Sequence, residues 1–276
     1  MSAGADLLGK IAVVTGSGRG LGQVIAQALA AQGATVALAA RRADQLRQTE
    51  QLIRDAGGHA RAIPVDVGNI GDVQRLKEEV ERELGVPTLL VNCAGTFGPI
   101  QLIKDSDPSA WIDTLMINTV AAYLTTRAFV GGMIEAGWGR IVNVSSAASL
   151  HPPSSFNTAY STSKVALNHL TRGLAVELAG TGVTANVIHP GDVKTEMWAD
   201  IRDKANQLGP AAEGYLNWVK WVDETGGDPP YKAADLVLNL MSDKAANING
   251  RFLWIEDSLQ KPIPSWDGTA DRLQWN

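Results

Sequence analysis

Short aliphatic runs recur along the chain at residues 11–14, 35–38, 62–65, 88–91, 141–144, 184–188 and 251–255. They are continuous rather than alternating, the pattern of strands buried on both faces, as in a parallel sheet. Longer stretches rich in Ala, Leu, Gln, Glu and Arg lie between them, such as residues 21–32 and 44–56. Those residue types favour helix, and Gly33, Gly57 and Gly85 fall where helix C-caps belong. Strand and helix alternating in this way predict βαβ units with right-handed crossovers. No linker, low-complexity tract or repeat divides the chain, so the pattern predicts one doubly wound α/β domain over residues 1–276, built on a seven-stranded parallel sheet.

Two segments depart from the rhythm. Residues 192–231 hold three tryptophans and Pro229-Pro230 and read as irregular helix and loop, leaving the sheet after the sixth strand. Ligands of parallel α/β sheets sit beyond the C-terminal strand ends, which makes this the expected substrate segment. Its large residues Met197, Trp198, Tyr215, Leu216, Trp218 and Trp221 either pack the segment onto the body or face an apolar substrate as a mobile lid. Residues 256–276 carry Pro262, Pro264, Trp266 and Trp275 with little periodicity, a tail suited to packing or oligomer contact.

Composition then removes whole classes of function. Lys and Arg number 24 against 29 Asp and Glu, a net charge of −5 that argues against a generally basic nucleic-acid binder. Hydrophobic residues make up 45%, ample for a sizeable core. The single cysteine, Cys93, has no intrachain partner, and none of His59, His151, His169 and His189 pairs with another ligand type at metal spacing. No metal is therefore expected. No stretch approaches the ~20 apolar residues of a membrane span, and the start from Met1 to Asp6 has no basic run followed by a long apolar one. These features predict a soluble, cytoplasmic protein with neither membrane nor nucleic-acid partner.

Candidate chemistry begins directly after the first strand, at Thr15-Gly16-Ser17-Gly18-Arg19-Gly20-Leu21-Gly22, which then opens a helix. Phosphates need closely approaching backbone N–H groups at the positive end of a helix, and glycines clear the way. The spacing, T-G-x-x-x-G-x-G, resembles the fingerprint of the short-chain dehydrogenase/reductase family. Further motifs follow in the family's order: Asp66, Asn92-Cys93-Ala94-Gly95, Asn118, Ser145-Ser146, Tyr160-Ser161-Thr162-Ser163-Lys164, and Pro190-Gly191-Asp192-Val193-Lys194-Thr195. The resemblance spans roughly residues 10–252 and implies a Rossmann-type domain. Two departures stand out. Cys93 replaces the family's second asparagine, and Ile255-Glu256-Asp257-Ser258 replaces its usual Asp-Gly-Gly close.

The resemblance implies a nicotinamide dinucleotide held by Gly16, Ser17, Gly20 and Leu21 at the pyrophosphate, with Arg19 able to reach a ribose 2′-phosphate, Asp66 and Val67 at the adenine, and Asn92, Ala94 and Gly95 at the fourth strand's end. It places Pro190, Gly191 and Val193 at the carboxamide and Thr195 on a phosphate. Where NAD-binding members carry an acid at the end of the second strand, this chain has Ala40 followed by Arg41 and Arg42. Guanidinium groups suit a 2′-phosphate and a carboxylate would repel one, so NADP(H) is expected over NAD(H).

Tyr160 and Lys164 are four apart, hence on one face of a helix. By resemblance Tyr160 exchanges a proton with the substrate oxygen, Ser146 hydrogen-bonds that oxygen, Lys164 holds the nicotinamide ribose and favours the phenolate, and Asn118 steadies a water behind Lys164. Ser146 matches the family's catalytic serine better than Ser145. The expected activity is the interconversion of a small-molecule carbonyl and a secondary alcohol. A regulator that binds NADP(H) without turnover is the alternative, and the presence of both Tyr160 and Lys164 counts against it. The resemblance also implies a homo-oligomer, a tetramer or dimer, built through the helices containing Asn118 and Tyr160.

Overall fold

The structure is a computed structural model that describes residues 6–151 and 154–255; the expected tail, 256–276, lies outside them. Its strands are β1 (Ile11–Thr15), β2 (Thr35–Ala40), β3 (His59–Pro64), β4 (Leu89–Asn92), β5 (Gly139–Val144), β6 (Val183–His189) and β7 (Phe252–Trp254). The helices are α1 (Gly20–Ala31), α2 (Ala43–Asp55), α3 (Ile70–Glu83), α4 (Pro108–Leu115), α5 (Ala121–Glu135), α6 (Thr158–Glu177), α7 (Glu196–Leu208), α8 (Glu213–Thr225) and α9 (Pro230–Met241). All seven strands join one parallel sheet in the order β3-β2-β1-β4-β5-β6-β7. The order reverses between β1 and β4, the switch point at which such sheets open a crevice.

Two-sided burial explains the continuous apolar runs. Ala12 and Val14 of β1, with Val36 and Leu38 of β2, pack with α1, α2 and α9 on one face. Their neighbours Val13, Ala37 and Ala39 pack with α3 and α5 on the other. Gly33, Gly57 and Gly85 have φ of +94°, +82° and +105°, the left-handed conformation that ends a helix without a Cβ penalty. The edge strand β3 begins earlier than its aliphatic run because its outer positions, among them His59 and Arg61, stay in contact with water.

The segment after β6 corrects the expectation of irregular structure. It forms two regular helices, α7 and α8, joined by a single short turn (Gly209–Ala212). The Thr195 hydroxyl caps α7 by accepting from Trp198 N, and Gly209 and Gly226, at φ +58° and +81°, close α7 and α8. Trp198, Val219 and Val222 give the pair a small core of its own. Among the described residues no helix is long and apolar enough to cross a membrane.

Candidate active site

A cleft of about 1580 Å³ runs over the C-terminal ends of the strands, from the glycine turn to Trp254. Gly16, with φ +69°, turns the chain out of β1, and a Cβ there would lie 2.8 Å from Ala94 Cα. A Cβ on Gly22 would collide with the Gly16 carbonyl. These glycines therefore let β1, α1 and the end of β4 close up, leaving bare backbone beside the start of α1. The Ser17 hydroxyl, fully buried in that turn, has no hydrogen-bond partner among the described residues. Bare backbone at a helix start and an unspent hydroxyl fit a dinucleotide pyrophosphate.

Arg19, Arg41 and Arg42 line the same end of the cleft, where β2 finishes in Ala40. Burial holds the Arg19 guanidinium below its usual pKa, the positive charges of Arg42 and Arg41 push the same way, and the Asp200 carboxylate works against them. The three cations thus crowd one place, which is unfavourable unless an anion joins them. Glu196 of α7 already pairs with Arg19. Asp66 and Val67 line the adjoining wall, where the Asp66 carboxylate accepts from Gly68 N at 3.0 Å.

At the far end, Ser146 leaves β5 and Tyr160 stands in the first turn of α6, with the Ser146 side chain close enough to ease the ionisation of its phenol. Ser145 faces the other way, donating to the Lys164 carbonyl at 3.4 Å. Lys164 lies one turn on from Tyr160 and donates from Nζ to the Val144 carbonyl at 2.9 Å, with Nζ 5.6 Å from the Tyr160 ring centre. Burial lowers Lys164 to about 8. Burial raises Tyr160 to about 12, and Ser146 offsets only part. In this state Tyr160 is a proton donor. Cys93, raised to about 12 by desolvation, stays a thiol.

Two expected residues stand behind the cleft rather than in its lining. Asn92 is turned into the body, donating to Asn143 Oδ1 at 2.8 Å and accepting from Thr125 at 2.6 Å, so it ties β4 to β5 and α5. The resemblance had placed it at the cofactor; its amide is spent on packing the sheet. Asn118 sits in a π-type bulge, Met116–Val120, between α4 and α5. Its amide donates to Thr96 O at 2.8 Å and Ser163 Oγ at 2.9 Å, and its oxygen accepts from Thr96 N at 2.8 Å. Only the missing side chain of Gly95 separates it from the lysine. A Cβ there would lie 3.2 Å from Asn118 Oδ1 and 3.7 Å from Lys164 Nζ.

The family described as short chain dehydrogenase matches residues 10–206 of this chain. The chain belongs to the short-chain dehydrogenase/reductase family. It is 31% identical over 252 residues to the 2,3-dihydro-2,3-dihydroxybenzoate dehydrogenase of Bacillus subtilis, across 90% of this chain and 95% of that one. An actinorhodin polyketide ketoreductase variant solved with NADPH matches at TM-score 0.82 and 30% identity, covering 89% of this chain and 95% of its own. A NAD+-bound xylitol dehydrogenase matches at TM-score 0.81 and 26% identity, over 90% and 98%. As a short-chain dehydrogenase/reductase, the chain is an oxidoreductase of the carbonyl–alcohol type that uses a nicotinamide cofactor.

In this short-chain dehydrogenase/reductase, Pro190, Gly191, Val193 and Thr195 line the cleft between its two ends. Gly191, at φ +81°, packs so closely that a Cβ would lie 2.7 Å from Asp228 Oδ2. Over the Tyr160 end stands an aromatic wall. Phe97 stacks on Tyr160 with ring centres 4.4 Å apart, and Tyr215 of α8 meets Phe97 edge-on at 6.0 Å. Trp198, Trp218 and Trp221 also line the cleft. Trp254 of β7 closes it, with His189 edge-on at 4.8 Å and His151 stacked at 6.0 Å. Sequence reasoning missed Phe97, Phe156, His189, Glu196, Asp228 and Trp254. None belongs to a spaced motif, and only the position of His189 and Trp254 at strand C-terminal ends carried a signal.

Proposed function

We propose that this short-chain dehydrogenase/reductase is NADP(H)-dependent and interconverts a mainly apolar ketone and its secondary alcohol, with Tyr160 as the acid and base. The observation that carries this reading is the meeting of Ser146, Tyr160 and buried Lys164 at one end of a cleft whose other end gathers three arginines. The cofactor, when bound, supplies or accepts hydride at the substrate carbon. In reduction the Tyr160 hydroxyl gives its proton to the substrate oxygen, and in oxidation the phenolate takes it back. Ser146 donates to the same oxygen as charge builds there. Lys164, charged below about pH 8, supports the phenolate and the cofactor ribose. Asn118 organises the backbone at Thr96, and the gap at Gly95 leaves room for water that returns a proton to Lys164.

NADP(H) is favoured by Ala40 where an acid would stand, and by the crowding of Arg19, Arg41 and Arg42. The neighbour solved with NADPH supports the same choice, while the NAD+-bound neighbour stands for the alternative. Phe97, Tyr215 and the tryptophans support an apolar substrate. Exposed Ile112, Tyr123, Val165 and Val176 on α4, α5 and α6 support a homo-oligomer through those helices. The test follows loss of NADPH and of NADH against ketones and polyols. The expected result is faster turnover of an apolar ketone with NADPH. No turnover of any carbonyl, or a clear preference for NADH, overturns the reading.

A further inference from the structure

Asn157 occupies the N-cap position of α6, three residues before Tyr160, yet its side chain makes no capping bond. Asparagine at this position ordinarily spends its oxygen on the first turn's free N–H groups. Here Asn157 is 7% exposed, and its Oδ1 is buried without a hydrogen-bond partner among the described residues. The residue before it, Phe156, has φ +67°, a costly conformation for a bulky side chain, found where surroundings impose it. The Tyr215 hydroxyl, reaching in from α8, is also buried without a bond of ordinary length. Asn157 and Ser154 nevertheless lie close enough to it to ease the phenol's ionisation. Burial prevails and keeps Tyr215 a neutral donor, at about 12. All three residues line the cleft beside Tyr160 and Phe97.

We propose that Tyr215 and Asn157 form a second polar subsite that binds a hydroxyl group carried by the substrate at a distance from its reacting carbonyl. The inference rests on the redox reading above and narrows it to hydroxylated ketones. Tyr215 donates to the ligand oxygen, and the ligand hydroxyl donates to Asn157 Oδ1. One group therefore satisfies both unspent atoms, which an ether or a bare hydrocarbon does not do. The rest of that end is aromatic, so the hydroxyl is recognised against an apolar background. A substrate lacking it leaves two buried polar groups unpaired.

The test compares benzylacetone with its ortho-, meta- and para-hydroxyphenyl analogues, with NADPH, in the wild-type chain and in Tyr215→Phe. At least one hydroxylated analogue is expected to exceed the parent roughly tenfold in kcat/KM, mainly through KM, and Tyr215→Phe brings that ratio to about one. Calorimetric binding of the same ligands to the NADP+ complex reads the preference independently of turnover. A preference that survives in Tyr215→Phe, or no preference for any of the three analogues, overturns the subsite. Turnover without preference leaves the redox reading standing, whereas absence of turnover with every ketone removes both.

Discussion

Arg19 of the glycine turn is ion-paired with Glu196, the first residue of α7. The pair joins the cofactor end of the cleft to the helices over the substrate end. Both side chains are substantially exposed, so the bond itself adds little stability, under about 1 kcal/mol. Its consequence lies in competition, because the same guanidinium is the one offered to a 2′-phosphate. Glu196→Gln is therefore expected to tighten NADPH by roughly two- to fivefold while leaving NADH nearly unchanged. Fluorescence titration of both cofactors measures this. Weaker NADPH binding in the variant shows that Glu196 helps to hold the cofactor rather than competing with it.

Cofactor choice has a second handle at the end of β2. Replacing Ala40 by Asp and Arg41 by Ser sets a carboxylate where a 2′-phosphate would lie and removes one of its donors. The expected loss of NADPH affinity is about 1.5–3 kcal/mol, roughly ten- to a hundredfold, with a gain for NADH. Unchanged kcat/KM ratios for the two cofactors would place the phosphate elsewhere.

Tyr160→Phe removes one hydroxyl from a ring that keeps its stacking on Phe97. Thermal stability and cofactor binding are expected to hold, while kcat falls by roughly a hundredfold or more. The two serines separate in the same assay. Ser146→Ala takes away the hydroxyl beside Tyr160 and lowers kcat, whereas Ser145→Ala loses a bond to the Lys164 backbone and acts chiefly on melting temperature. Equal kinetic losses in the two serine variants contradict that division.

Much of this was legible in the chain because the responsible forces are local. A strand buried on both faces writes an unbroken aliphatic run, and β1, β2 and β4 to β7 lie within a few residues of theirs. The glycine turn and the Tyr160–Lys164 spacing are likewise short-range. α7 and α8 were harder to see because Gly209-Pro210 and Gly214 interrupt the helical signal. Their apolar residues also pack against one another, around Trp198, rather than presenting a stripe to the sheet. Asn92 is a separate case. Its neighbours in sequence line the cleft, but strand alternation turns its own side chain to Asn143 and Thr125. Phe97, Tyr215 and Asn157 meet only in three dimensions.

The excursion carrying α7 and α8 is closed at its neck. Asp192 N donates to Asp228 Oδ2 at 2.9 Å, and Asp228 N donates to the Asp192 carbonyl at 3.0 Å. With its own small core, the segment is expected to act as a lid over the substrate end. NADPH is expected to slow proteolysis between residues 192 and 228 several-fold at a fixed protease concentration. Cleavage at equal rates with and without NADPH removes the lid and leaves the chemistry at Tyr160 untouched.

His189 makes the fold sensitive to acid. The ring lies at the end of β6, where its Nδ1 accepts from Ala147 N at 3.2 Å and so requires the neutral form. Burial lowers its pKa from 6.5 to about 4; the charge of Asp228 works against that shift, and His151 adds to it slightly. Between those values the unfolded chain binds a proton that the folded chain refuses. Stability is then expected to fall as pH drops from 6.5 to about 4 and to be unaffected by this group above 6.5. The full effect is roughly 3 kcal/mol. Carboxylates titrate over part of the same range, so the informative quantity is the difference between wild type and His189→Asn, whose amide oxygen is able to accept from Ala147 N without titrating. Urea unfolding across that range is expected to show a shallower loss in the variant, with a small deficit at neutral pH. Parallel curves would mean that the imidazole is protonated in the folded protein and that the Ala147 contact is dispensable.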